Sequence, residues 1–362
     1  MAGTPRLCVT NRVQAPATVL TASSAATGSP VSRLKDQLRS KTWRSAIGWT
    51  IVAGENDKID FNRSGVKAAT IAAGTYATGA LLCTAIVAAL EAADATPVWA
   101  ASYSGSTFKF TISSDLAFTL LWSTGANTLT APHKDLGFAV ADTGSATSQT
   151  GANAAYTSRH WLKADLVTAA EVLGGIVVNH NSGAGGTYTL QGNATDAWGA
   201  PTVNQVLAGD ANIRIAYIAT QTLRYWRLVI DDPGNALGYG EVGIWFAGPY
   251  TQPTVSYAIG FTKQWEELSE VTVAISGAHF RDEKARRPTW GLAWSEILEA
   301  DRAALAAAFA LVPAGRCFFF SFDAIATPTD TEYGFLVEGV SETLTSGLYF
   351  DVALPTFAGA LG

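Results

Sequence analysis

The residues of this chain that could do chemistry are few and scattered. Asp231-Asp232 and Glu266-Glu267 are carboxylate pairs. Glycoside cleavage, however, needs two carboxylates facing each other across a cleft at a defined separation, which adjacent residues cannot supply. His133, His160, His180 and His279 are spread along the chain. None stands at metal-ligand spacing from another His or a Cys, so no zinc site is expected. Gly183-Ala184-Gly185-Gly186 is glycine-rich, but it falls between two strand-like segments with no helix after it, which favours a hairpin loop over a phosphate cradle. Cys8, Cys83 and Cys317 are odd in number and far apart, with apolar neighbours; buried reduced thiols are expected. No Gly-x-Ser-x-Gly elbow and no acidic loop of the calcium-binding type occur. The sequence therefore offers no catalytic, cofactor-binding or metal-ligating residues, and an enzyme is not expected.

The elements must then be arranged for something other than catalysis. With 362 residues, two or three domains are expected. Apolar residues make up 48% and charged ones 15%, so large cores and a weakly charged surface follow. Eleven Trp and 34 Gly suit a turn-rich, aromatic-packed β protein. A net charge of −6 argues against nucleic acid as the main partner. The one basic cluster, Arg33, Lys35, Arg39, Lys41 and Arg44, is interrupted by Asp36 and reads as a solvated loop edge. Met1–Val13 lacks the apolar run of a secretory signal, and Leu81–Ala93 is too short for a membrane span and contains Glu91. Folding in a cytosol without signal-directed export is expected.

The most informative stretch lies between Ile176 and Pro249. An apolar strand ends in Asn179-His180-Asn181, and an alternating strand follows at Tyr188–Gly192. Then comes Arg224-Tyr225-Trp226-Arg227-Leu228-Val229-Ile230-Asp231, in which Tyr225, Arg227 and Val229 face one way and Trp226, Leu228 and Ile230 the other. Asp232-Pro233-Gly234-Asn235 supplies a turn, and Val242–Phe246 closes the segment. Arg224 and Arg227 read as structural, stacking on Tyr225 or Trp226. This pattern resembles the second half of a discoidin-like (galactose-binding-like) β-jelly roll, in the version carried by tailed-bacteriophage tail and baseplate proteins. Its first strands are expected near Trp43-Arg44-Ser45, and the pattern resumes at Ser158–Leu162.

Between these lies an insertion. Lys58–Asn62 and Val66–Ile71 form a candidate hairpin around Ser64-Gly65, and Thr78 is a plausible N-cap for a helix over Leu81–Ala92. Strands are expected at Ala100–Tyr103, Phe108–Ile112 and Phe118–Trp122, and the low-complexity run Ala141–Ala155 reads as a linker. Gly74-Thr75-Tyr76 early and Leu136-Gly137-Phe138 late are similar to a small module of phage tail-fibre and virion proteins. After Gly248-Pro249-Tyr250, strand alternation at Trp265, Val271, Val273 and Ile275 is followed by a charged loop over Arg281–Pro288. A helix over Ser295–Leu311 follows, then a buried strand over Cys317–Phe322 and strands at Phe335–Val337 and Tyr349–Leu354. This last third resembles the C-terminal β-rich domains of siphophage minor tail proteins.

The expected fold is mainly β with minor α. Residues 1–50 plus 151–250 would form a jelly-roll sandwich, 51–150 an inserted α+β domain, and 251–362 a C-terminal β-rich domain. The resemblance implies a virion structural protein of a tailed phage, assembled in the host bacterial cytoplasm. It would form part of the distal-tail or baseplate ring, sixfold first and threefold second, with other tail and baseplate proteins as partners. The alternative it implies is a carbohydrate-binding adhesin contacting surface glycan. Ligands of related jelly rolls sit at loops on one end of the sandwich, which makes His180, Asn181, Trp198 and Tyr239 the candidate ligand residues. For Asn179–Asn181 the competing reading is satisfaction of strand-end backbone, and for Trp198 it is a core or subunit contact.

Overall fold

The computed structural model describes residues 3–360 apart from 184, 258–260, 274, 277–278, 314 and 347–348. The protein is mainly β. At its centre two long strands, His160–His180 and Ile213–Asp231, pair antiparallel along most of their length. Their register shifts between Asp165 and Ala170 and again between Val172 and Gly174. A bulge leaves extra residues unpaired and bends the strand. Asp165 organises the first one: its carboxylate accepts from the Val167 amide at 2.8 Å and from Arg224 Nε and Nη2 at 2.7 and 2.8 Å.

Because both strands bend, each serves two layers. Residues 160–165 and 225–231 build one layer with the strands Val19–Ala22, Thr187–Asn193 and Val203–Gly209. Residues 174–180 and 213–217 build the other with Glu241–Gly248 and Trp43–Arg44. Between the layers lie Leu162, Val177, Tyr188, Leu190, Trp226, Leu228 and Trp245, all fully buried. This is a jelly-roll β-sandwich.

The second layer is covered on its outer face too. Ile176, Val178, Ile244 and Phe246 pack against Cys8, Phe319 and Tyr333. The latter belong to a seven-stranded C-terminal sheet whose edge is closed by the N-terminal strand Arg6–Cys8, paired to Cys317–Asp323. Against this sheet the helix Glu299–Ala310 lays Leu305, Ala308 and Phe309. The helix starts at Glu299 and not near Ser295, because Trp294 and Ile297 remain in the sheet, paired with Val352 and Phe350. The segment expected as one charged loop over Arg281–Pro288 is largely strand, with residues 283–285 between His279–Asp282 and Arg286–Leu298. Ile275 lies in a turn beyond Glu270–Val273, not in that strand.

Side chains from Trp49 to Ala155 form a core of their own. The helix Gly79–Ala93 buries Leu82, Ile86 and Leu90, and Thr78 caps it by accepting from the Leu81 amide at 3.3 Å. The hairpin Lys58–Asn62/Val66–Thr70 joins the strand Phe110–Leu120, which runs unbroken where two strands were expected. The run read as a linker contains a further strand, Ala146–Thr150, on the edge of Phe110–Leu120. Small polar residues hid it; the buried Gln149 amide fixes it by donating to the carbonyls of Phe118 and Gly144 at 3.2 and 2.6 Å.

This unit is bolted to the sandwich by buried polar groups. Asp135, 0% exposed, accepts from the Arg159 amide at 2.7 Å, from Arg159 Nε at 3.3 Å and from Asn56 Nδ2 at 2.7 Å. Trp49 Nε1 donates to the Asp135 carbonyl at 3.1 Å, and the Thr50 amide to Ser158 Oγ at 2.9 Å. Gly48, at φ +93°, turns the chain where a Cβ would strike the Tyr76 carbonyl. His160, buried, sits under the same junction with Ser45 Oγ at 3.1 Å and Thr157 Oγ1 at 2.9 Å from its Nε2. Thr157 spends its single hydroxyl hydrogen on the Gly48 carbonyl at 2.7 Å, so it can only accept from His160, which assigns the Nε2–H tautomer. Lys134 and Asp231 add an ion pair at 2.5 Å.

Two outcomes follow. Asp135→Ala strands the half-buried Arg159 and is expected to cost about 3–5 kcal/mol, read as a lowered denaturant midpoint; a change below about 1 kcal/mol would show the junction does not depend on it. Burial pushes His160 down from 6.5 to about 4. The unfolded chain then binds the proton first on acidification, so the full stability seen above pH 6.5 declines as pH falls toward 4. The pH slope of stability in that window should be shallower in His160→Gln by about 1.4 kcal/mol per pH unit, and equal slopes would refute it.

Candidate ligand-binding cleft

The alternation of Ile213–Asp231 sends Trp226, Leu228 and Ile230 into the core and Arg227 and Val229 to the outer face of the first layer. That face is the floor of a cavity of about 310 Å³. Gln191, Asn204 and Trp161 extend the floor from neighbouring strands, and Val52, Gly54, Glu55 and Asn56 with Leu129 and Thr130 overhang it from the inserted unit. The remaining wall is the loop after Thr187–Asn193, which carries Trp198. Asn193 pins this loop. Its Nδ2 donates to the Ala197 carbonyl at 2.6 Å, and its Oδ1 accepts from the Ala194 amide at 2.9 Å and Thr202 Oγ1 at 3.1 Å.

Arg227 is the centre of the cleft. It is 6% exposed, and three different elements engage its guanidinium. The plane lies 4.6 Å from the Trp198 ring centroid, and Nε donates to Gln191 Oε1 at 2.9 Å. Nη1 reaches across to both Glu55 oxygens at 2.7 and 2.8 Å. Burial lowers the Arg227 pKa from its usual value, and the Glu55 carboxylate opposes that shift. Gln191 passes the polarity on, donating from Nε2 to Asn204 Oδ1 at 3.0 Å. Trp198 Nε1 is fixed by Asp196 at 2.8 Å, and Asp196 in turn holds Lys163 at 2.6 Å. The cleft thus offers two indole surfaces, an exposed Leu129, and amide, carboxylate and guanidinium groups within one concavity.

Of the four residues expected at a ligand site, Trp198 lines this cleft. The other three meet elsewhere, at the junction of the loops after His160–His180 and Ile213–Asp231. Asn181 donates to the Tyr239 carbonyl at 2.8 Å and accepts from the Glu241 amide at 2.8 Å. The His180 ring packs 5.1 Å from that of Tyr188, and burial pushes its pKa down to about 4. Tyr239 carries the Arg44 guanidinium 5.4 Å from its ring centroid. There the side chain of Asn181 satisfies strand-end backbone.

Arg227, Gln191, Asn204, Trp161 and Glu55 were not singled out as ligand residues. The outward position of Arg227 was legible from alternation, but Glu55 lies 172 residues away in another unit and carries no local signal. Stacking of Arg227 falls on Trp198, not on Tyr225 or Trp226, while Arg224 does lie over Tyr225 at 4.8 Å. Among the described residues no group of three or more His, Cys, Asp or Glu could hold a metal ion. All three cysteines are unbonded, and burial pushes the Cys8 thiol up to about 12 and that of Cys83 to about 11. Among the described residues no helix is long and apolar enough to cross a membrane.

No family model and no curated protein sequence matches the chain. Solved structures similar to it include a single-site variant of chitosan-binding module 1 of a chitosanase/glucanase from Paenibacillus sp. IK-5. That match has 13% identity over 66% of this chain and 98% of the other, with a TM-score of 0.29. Module 2 of the same enzyme, in complex with chitotriose, matches at 16% identity over 27% of this chain and 76% of the other, with a TM-score of 0.21. The module CpGH89CBM32-5 from Clostridium perfringens, in complex with GalNAc-β-1,3-galactose, gives 8% identity, 25% and 66% coverage and a TM-score of 0.21. Likenesses this slight carry no inference about ligand or mechanism.

Proposed function

We propose that the protein is a non-catalytic glycan-binding protein whose ligand lies in the cleft between the sandwich and the inserted unit. One observation carries this reading: Trp198 and Trp161 share a single concavity with Arg227, Gln191, Asn204 and Glu55. Sugars present apolar C–H faces and a rim of hydroxyls, so a site for them combines ring surface with fixed donors and acceptors. The fixing is in place before any ligand arrives, through Asn193 in the loop and Gln191 beside Arg227, which lowers the ordering cost of binding. Among the described residues that line the cleft no second carboxylate stands with Glu55, and general acid–base cleavage of a glycoside calls for two.

A second reading places this protein in the distal tail or baseplate of a tailed phage, as a ring-forming structural component assembled in the host cytoplasm. Its sequence resemblance motivates it, and one structural feature favours it. Among the described residues the strand Thr262–Glu267 ends the strand order of the C-terminal sheet, and Trp265 upon it is 63% exposed. Open edges with exposed aromatic side chains invite pairing with another chain. The two readings are compatible, since a ring component can carry a glycan site on its outside.

Each has its own test. Trp198→Ala and Asn204→Ala should weaken binding to the best ligand on a glycan array, Trp198→Ala by about 30-fold or more; affinity unchanged in both would remove the cleft from the reading. Light scattering and negative-stain images of the full chain should give a closed ring, sixfold first. A monomer at all accessible concentrations would count against the ring.

A further inference from the structure

Among the described residues two guanidiniums, Arg159 and Arg227, border the cleft, and Glu55 is its one carboxylate. Asp135, which neutralises Arg159, is fully buried behind it. Neither arginine has used all its donors on the described residues. Arg159 gives Nε to Asp135 and Nη2 to the Ala131 carbonyl, while Arg227 gives Nε to Gln191 and Nη1 to Glu55. Arg159 Nη1 and Arg227 Nη2 remain.

Glu55 and Arg227 are also held very differently. Arg227 is buried, stacked and hydrogen-bonded, and it cannot be left without a negative partner. Glu55 sits on a turn beside the exposed residues Ala53 and Gly54, its side chain is 30% exposed, and among the described residues its carboxylate bonds only Arg227. A rigid, desolvated guanidinium is a receptor for planar anions, whereas the partly exposed Glu55 carboxylate sits on a turn and can swing toward solvent. A neutral sugar that pushed Glu55 aside would strand the buried cation. A sugar bearing its own carboxylate would replace it.

Resting on the glycan reading, we propose that the ligand is an acidic saccharide, and that Glu55 occupies the position of the ligand's carboxylate in the free protein. Hexuronates and sialates share this chemistry. The ligand carboxylate takes Arg227 Nη1, its second oxygen and the sugar hydroxyls reach the spare donors of Arg159 and Arg227, and the displaced Glu55 turns to solvent. Glu55 therefore acts as an internal competitor that lowers affinity and keeps Arg227 paired while the site is empty.

The test measures binding of the full chain, wild type and Glu55→Gln, by calorimetry at low and high salt. The probes are tetragalacturonate and its neutral methyl ester, and sialyllactose and lactose. One of the two acids should bind the wild type, which identifies the source. Its neutral counterpart should bind at least about tenfold more weakly, and the acid should weaken further in high salt. Glu55→Gln should tighten the acid by about three- to tenfold. Thermal melts of the variant check its folding, and the comparison of acid with neutral sugar stands on the wild type alone. Equal binding of acid and neutral forms, binding of neutral sugars only, or weaker acid binding in Glu55→Gln would overturn the inference while leaving the glycan reading intact. No binding by any saccharide, here and on a glycan array, would remove both.

Discussion

A single buried carboxylate governs how this chain is put together. Asp135 is fully enclosed, and an isolated ionised group there would be prohibitive to desolvate. It is tolerable because Arg159 supplies both a backbone amide and a guanidinium nitrogen, and Asn56 supplies an amide hydrogen. Those donors come from opposite sides of the junction: Asn56 from the inserted unit, Arg159 from the residue preceding the first long sandwich strand. The network is satisfied only when the two units are seated in one relative position, so it fixes orientation as well as holding contact. Hydrophobic cores could not do this alone, since each unit has its own and apolar burial is indifferent to direction.

That fixed orientation creates the cleft. The two long strands are bent by bulges so that their halves lie in different layers, and the two layers have different outer neighbours. One outer face is apolar and is covered by the C-terminal sheet through Phe246 and Phe319, whose rings meet edge to face at 5.8 Å. The other carries Arg227, Gln191 and Trp161 and is roofed by the inserted unit without being filled. Dry packing on one side and a polar gap on the other follow from which residues alternate outward along the same two strands. The inserted unit, held by Asp135, keeps the gap open at a set width and delivers Glu55 to Arg227.

Where the pattern was local, the sequence carried it. Thr78 as a cap, the hairpin at Ser64-Gly65, the inward row Trp226, Leu228 and Ile230, and the buried run from Cys317 were legible because capping, turn chemistry and period-two burial act over a few residues. Where the deciding contact was distant, it was not. Ala146–Thr150 reads as low complexity, and only the Phe110–Leu120 edge and the two carbonyls taken by Gln149 make it a strand. The start of the second helix is postponed by pairing of Ile297 with Phe350, across a stretch of chain no periodicity can see. The candidate site shows the same division. Trp198 was visible as a loop aromatic, but its partnership with Arg227 and, through it, with Glu55 exists only once three separate elements have been folded together.

Arg227 shows what such a partnership costs and why it bears on function. An arginine at an outward strand position would ordinarily stay in water, its stem along the sheet and its head free. Here it is lowered into a gap between a tryptophan and a carboxylate from another unit, and burial of that charge works against stability. An aliphatic side chain would fill the same space without that penalty and would leave Glu55 free to solvate. A buried, doubly oriented cation beside an accessible cavity is therefore poorly explained by packing. It is well suited to holding an anion in one orientation, because its donors are aimed before the anion arrives and little order is lost on binding. The energetic burden at Arg227 and the stabilising network at Asp135 are in this sense one design. The second fixes the geometry that makes the first usable.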